Sequence, residues 1–138
     1  MKKLLLLTLA IVTLTSLGYS QTPPPAIQRG GIVVYEKDGH GLVAAPTDLG
    51  ELSWNNAKKA CDTLILNGYS DWRLPSREEL NSLYENRDKI GGFGYLNWYW
   101  SSAEYDDYFA WGQGFNDAGA QNYGLKFNGY NVRAVRAF

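Results

Sequence analysis

The chain has 138 residues, with 13 basic and 14 acidic side chains and a formal net charge of −1. With charges so nearly balanced and no basic run or basic helix face, it lacks the electrostatic footprint that nucleic acid binding requires. Its single cysteine, Cys61, excludes an intramolecular disulfide, so packing alone must stabilise the fold.

Lys2 and Lys3 precede an apolar run from Leu4 to Leu17 and the small-residue stretch Gly18-Tyr19-Ser20, the pattern of a signal peptide cleaved after Ser20. The run of about 14 residues falls short of the roughly 20 that span a bilayer. The expectation is an exported protein, periplasmic, cell-surface or extracellular, with no integral membrane segment after cleavage. Removing residues 1–20 leaves 118 residues (138 − 20), the size of one domain. Their charge is −3, from 11 basic (13 − 2) and 14 acidic residues. Residues 21–29, with Pro23-Pro24-Pro25, read as an extended linker, and residues 30–138 as the domain.

Gly31–Tyr35 and Gly41–Ala45 are apolar and β-branched, and Asp38-Gly39 between them is hairpin-turn chemistry. His40 sits in that turn with no second His or nearby Cys to complete a metal site. Ser53 is placed to cap a first helix carrying Trp54, Ala57, Cys61 and Leu64 at helical spacing, with Asn67-Gly68 as its stop. On this stripe Cys61 reads as a small buried hydrophobe. Asp71–Leu74 alternates as a short strand, with Trp72 and Leu74 facing one way. Ser76-Arg77-Glu78-Glu79 predicts a capping box at the start of a second helix, with Leu80, Leu83 and Tyr84 as its buried stripe. Glu78 and Glu79 are neighbours on a helix and point about 100° apart, so they cannot flank one scissile bond. Gly91–Gly94 reads as a plain loop, without the context of a phosphate cradle.

Beyond Gly91 the composition changes: 14 of the 20 aromatic residues lie from Phe93 to Phe138. Strands are expected at Tyr99–Ser102, Phe109–Trp111, Gly124–Phe127 and Asn131–Phe138, with Phe109, Trp111 and Phe127 in the core. Apolar residues on both faces of the last piece put it inside the fold. Arg133 and Arg136 must then find carboxylates, because an unpaired buried arginine is very costly.

Four segments in this order carry a family resemblance: Gly41–Pro46, Gly68-Tyr69-Ser70-Asp71-Trp72-Arg73-Leu74-Pro75-Ser76, Tyr99–Ser102 and Val132–Phe138. Together they resemble the Lcl C-terminal domain family, named for the Legionella collagen-like adhesin, over roughly Gly30 to Phe138. The resemblance implies an α+β, C-type-lectin-like fold: two helices beside a small, mostly antiparallel sheet, with the N- and C-terminal strands close together. It also implies extracellular ligand binding, sulfated glycans in the founding adhesin. This chain has no collagen-like repeat and is acidic, so the ligand is left open between a glycan and a protein.

The ligand-binding candidates are Tyr105, Asp106, Asp107, Tyr108, Asn116, Asp117, Asn122, Tyr123 and Tyr130. Tyr gives large contact area at small entropic cost, and Asp and Asn give directional hydrogen bonds; the same polar residues also make turns. Phe115-Asn116-Asp117 resembles the Trp-Asn-Asp element of calcium-dependent lectins of this fold. No Pro follows Pro75 to supply the second calcium loop, so no metal is expected. No enzyme activity or cofactor is expected either. The related formylglycine-generating oxidases rely on paired cysteines, and adjacent carboxylates such as Asp106 and Asp107 do not oppose each other across a bond. Two alternatives remain: a retroelement-diversified variable protein, suggested by the Tyr/Asp/Asn/Gly palette of the tail, and a structural subunit of envelope assembly.

Overall fold

The computed structural model describes residues 23–116 and 118–138; the leader expected over residues 1–20 and the site candidate Asp117 lie outside the described residues. Pro23 to Ile27 are exposed and without regular structure, and Gln28 and Arg29 contact residues further along the chain. Gln28 bridges Gly31, the Arg29 carbonyl accepts from Arg136 Nη1 at 2.8 Å, and the Arg29 guanidinium sits 4.3 Å from the centre of the Phe138 ring.

Strands β1 (Ile32–Lys37) and β2 (His40–Ala44) form the expected antiparallel hairpin. Its turn has φ of 54° at Asp38 and 80° at Gly39, two left-handed residues whose twist matches that of the flanking strands. The C-terminal strand β8 (Val135–Ala137) pairs with β2 and completes a three-stranded sheet in the order β1-β2-β8. β2 is buried on both faces: Val43 packs with Trp54, Trp72 and Trp100, whereas Leu42 and Ala44 pack with Leu80, Leu83, Tyr99 and Phe115. That is why Gly41–Ala45 reads as a continuous apolar run rather than an alternation.

The second sheet has five strands in the order β3-β7-β4-β5-β6, comprising β3 (Glu51–Leu52), β4 (Trp98–Glu104), β5 (Phe109–Gly114), β6 (Gln121–Leu125) and β7 (Tyr130–Asn131). Its pairings are antiparallel except β4 with β7. The helices are α1 (Trp54–Asp62), α2 (Arg77–Glu85) and the short α3 (Arg87–Ile90), so the protein is α+β with mostly antiparallel sheets. No described helix is long and apolar enough to cross a membrane. Adjacent residues of β4 point into the two halves of the core, Trp100 toward α1 and Tyr99 toward α2. Buried indoles are satisfied: Trp54 Nε1 donates to the Ser101 carbonyl and Trp100 Nε1 to the Leu52 carbonyl, each at 2.8 Å.

The structure corrects several expectations. Helix α1 ends at Asp62; Asn67-Gly68 lies beyond it, with φ of 52° and 83°, as the turn of a small bridge between Leu66 and Tyr69. Ser53 starts α1 without a side-chain capping bond, and the first helical N–H, that of Trp54, donates to the Lys126 carbonyl at 2.8 Å. Asp71–Leu74 pairs only through Arg73 with Val135, although Trp72 and Leu74 do share one core cluster. The final segment is two strands: hydrogen bonds from Ala45 N to the Ala134 carbonyl and from Leu49 N to the Val132 carbonyl carry it from one sheet to the other. β6 begins at Gln121 and ends at Leu125, so Phe127 falls in the following turn and is 76% exposed. Phe109 and Trp111 are half-buried rather than core residues.

Both buried arginines find carboxylates. Arg133 is fully buried; its Nε donates to Asp48 Oδ1 at 2.7 Å, and Nη1 donates to the carbonyls of Ala45 and Gly91. Tyr99 donates its hydroxyl to Asp48 Oδ2 at 2.7 Å, and burial, partly offset by a hydrogen bond from the Gly94 N–H, raises that phenol above the usual tyrosine range. Arg136 holds Asp71 by two bonds, of 2.7 and 3.2 Å.

Candidate functional site: an aromatic face at the sheet edge

Alternation along β5 and β6 sends Phe109, Trp111 and Gln113 to one face, opposite Leu125, Tyr123 and Gln121 respectively. Beyond the α2 end of the sheet this face is open. The loop between β4 and β5 folds Tyr105 back over it, with the Tyr105 and Asp106 N–H groups both donating to the Phe109 carbonyl. Tyr105 stacks on Tyr123 with ring centroids 4.2 Å apart and planes 11° from parallel. Both rings meet Trp111 edge to face at 5.7 Å, and Phe109 completes the group. Tyr105 remains 51% exposed and Tyr123 44%. The result is an aromatic patch with one tyrosine from a loop and one from the edge strand.

The other candidates separate. Asp107 and Tyr108 line a different hollow of about 260 Å3, with Ser53, Asn55, Lys126 and Phe127. There the Lys126 ammonium is held by Glu104 Oε1 at 2.9 Å and by the Asp107 carbonyl at 3.0 Å. Asp106 Oδ1 accepts from the N–H groups of Tyr108 and Phe109, each at 2.8 Å, which fixes the loop. Asn116 Oδ1 accepts from Ala118 and Gly119 in the same manner, and Asn122 Oδ1 accepts from the Tyr123 N–H at 2.9 Å. Tyr130 stacks on Trp100 at 4.1 Å and packs against Gly124, where a side chain would collide with it. Its position is that of a half-buried packing residue.

One residue of the face is not apparent from sequence. Arg77, in the first turn of α2, lays its guanidinium 3.6 Å from the centre of the Trp111 ring and extends the patch on the side away from Phe109. In sequence it is merely one member of the capping run; only the packing of α2 against β5 brings it to Trp111. Arg77, Glu78, Asn81 and Gln121 line a polar groove of about 490 Å3 beside it. Among the described residues, no group of three or more His, Cys, Asp or Glu side chains is placed to hold a metal ion.

Fold and face thus define a small α+β domain in which a disulfide-free core supports an exposed aromatic edge. The family model of the Lcl C-terminal domain matches residues 33–136, and the chain belongs to that family. No curated protein matches it.

Proposed function

We propose that this is an exported, non-catalytic recognition domain of C-type-lectin-like fold, binding an extracellular glycan or protein through the outer face of β5 and β6. The observation that carries the reading is the Tyr105–Tyr123 stack, half-exposed yet held by Trp111 and Phe109. Exposed aromatic rings lose little entropy when a ligand docks, since they are already fixed. Membership of the Lcl C-terminal domain family supports an adhesin-like, extracellular role. Cys61 is unsuited to thiol chemistry, since burial pushes its thiol up to about 12 and the nearby Asp62 adds to the shift. The exposed Tyr108 and Phe127 beside the second hollow support a further contact with an envelope partner.

The test is an array of extracellular glycans and matrix proteins probed with the protein and with its Tyr105→Ala/Tyr123→Ala variant. The variant is expected to lose about tenfold or more in affinity for any hit, with its melting temperature within a few degrees of the parent. Undiminished binding, or collapse of the fold, would remove the face from consideration.

A further inference from the structure

We propose that Arg77 anchors a carboxylate-binding subsite at the α2 end of the aromatic face, filled by an acidic side chain of a peptide ligand. The inference rests on reading that face as a recognition surface, and adds the charge its ligand must carry.

Of the described arginines, Arg29, Arg73, Arg133 and Arg136 each have a carboxylate within salt-bridge distance, and Arg87 lies on the Tyr84 ring with Nη1 donating to the Tyr84 carbonyl. Arg77 has none among the described residues. Its guanidinium is nevertheless held, with its central carbon over the Trp111 ring and its Nε donating to Gln121 Oε1 at 3.2 Å. Gln121 is itself held, donating to the Arg77 carbonyl at 2.8 Å and to Gln113 Oε1 at 3.2 Å. Gln113 is fully buried and donates to Asn81 Oδ1 and the Gly119 carbonyl, each at 2.9 Å. This run of amides immobilises the arginine from behind. Its two terminal nitrogens, four N–H donors in a planar fork, have no acceptor among the described residues, and the residue lines the open groove.

A fixed fork without an internal acceptor is matched to a planar, two-oxygen anion. Glu78 lines the same groove and opposes a second negative charge, which favours a carboxylate over a phosphate. Trp111, Tyr123 and Tyr105 continue the surface with ring area, and protein interfaces concentrate binding energy in Trp, Tyr and Arg. The matching ligand is a peptide segment that sets an acidic side chain beside an apolar one.

The experiment titrates the isotope-labelled protein, by NMR, with N-acetyl-Asp-Phe-amide, its Asn-Phe counterpart and glucuronic acid. The acidic dipeptide is expected to shift the Arg77 side-chain and Trp111 indole signals and to bind about tenfold more tightly than the neutral one. Arg77→Gln should erase that difference, and Arg77→Lys should retain part of it because the charge stays while the fork is lost; thermal melts verify that both variants fold. Equal binding of both dipeptides at Tyr105 and Tyr123 would overturn the carboxylate subsite and leave the recognition face standing. Shifts from glucuronic acid exceeding those from the dipeptide would overturn the peptide source. No response from Arg77, Trp111 or Tyr123 to any probe would count against both readings.

Discussion

Arg133 and its surroundings show what a single buried charge demands. The guanidinium is wholly removed from solvent, and Asp48 is the carboxylate within salt-bridge distance. Phe93 covers it at 4.0 Å. Asp48→Ala leaves a buried cation without a counter-charge, and urea unfolding should show a loss of about 3–5 kcal/mol. A loss below 1 kcal/mol would mean that solvent reaches the site in the native state. The need for carboxylates was legible in the alternation around Arg133 and Arg136. Their identity was not, since Asp48 and Asp71 lie 85 and 65 residues away along the chain. The same limit applies to Asp106, Asn116 and Asn122. Their residue types signal turns and ligand contacts alike, and only coordinates reveal that each has an oxygen committed to backbone N–H groups.

Among the elements, α2 is the best specified by sequence. Its capping box forms as the Ser76 and Glu79 spacing requires, and Glu79 is additionally gripped by Arg73 through bonds of 2.6 and 2.8 Å. Burial raises the Glu79 pKa, but the bonds from Arg73 and the Ser76 N–H outweigh it, and the net shift is downward from 4.5. A depressed folded-state pKa gives stability that is present above the unfolded value and lost as pH falls through the folded one. The melting-temperature advantage of the parent over Glu79→Gln should therefore be full at neutral pH and shrink as the pH falls below 4.5. An advantage that persists in acid would show that the carboxylate charge contributes nothing. Turns were legible where the residue pair is conventional, as at Asp38-Gly39. Arg29-Gly30 adopts the same geometry, with φ of 53° and 85°, yet carries no such signal, because arginine rarely enters the left-handed region. β6 adds a packing constraint, since a Cβ at Gly124 would lie 2.3 Å from the Tyr130 hydroxyl and 2.9 Å from its ring. Gly124→Ala should cost about 1–3 kcal/mol in thermal or urea unfolding, through the shift it forces on Tyr130.

For the whole molecule, two sheets and two core clusters are joined by the segment from Tyr130 to Ala137, which enters both sheets. Its apolar content on both faces was readable; its division into β7 and β8 was not, because crossing between sheets depends on the distant backbone groups of Ala45 and Leu49. A core joined in this way should open as one unit. Cys61, fully buried with a thiol pushed up to about 12, reports on that opening. Its labelling by a thiol reagent at pH 8 should rise with urea in step with global unfolding, whereas fast labelling in native buffer would reveal a separate local opening. The aromatic face was legible as a composition and not as a place. The sequence shows tyrosines and side-chain oxygens crowding into the tail; strand register decides that Tyr105 and Tyr123 meet over Trp111 while Tyr108 and Tyr130 go elsewhere. The most direct test of this placement is chemical-shift mapping of the protein with the strongest ligand recovered from the arrays. Perturbations centred on Tyr105, Trp111 and Tyr123 are expected. Perturbations confined to the hollow of Asp107, Tyr108 and Phe127, with that face silent, would contradict it.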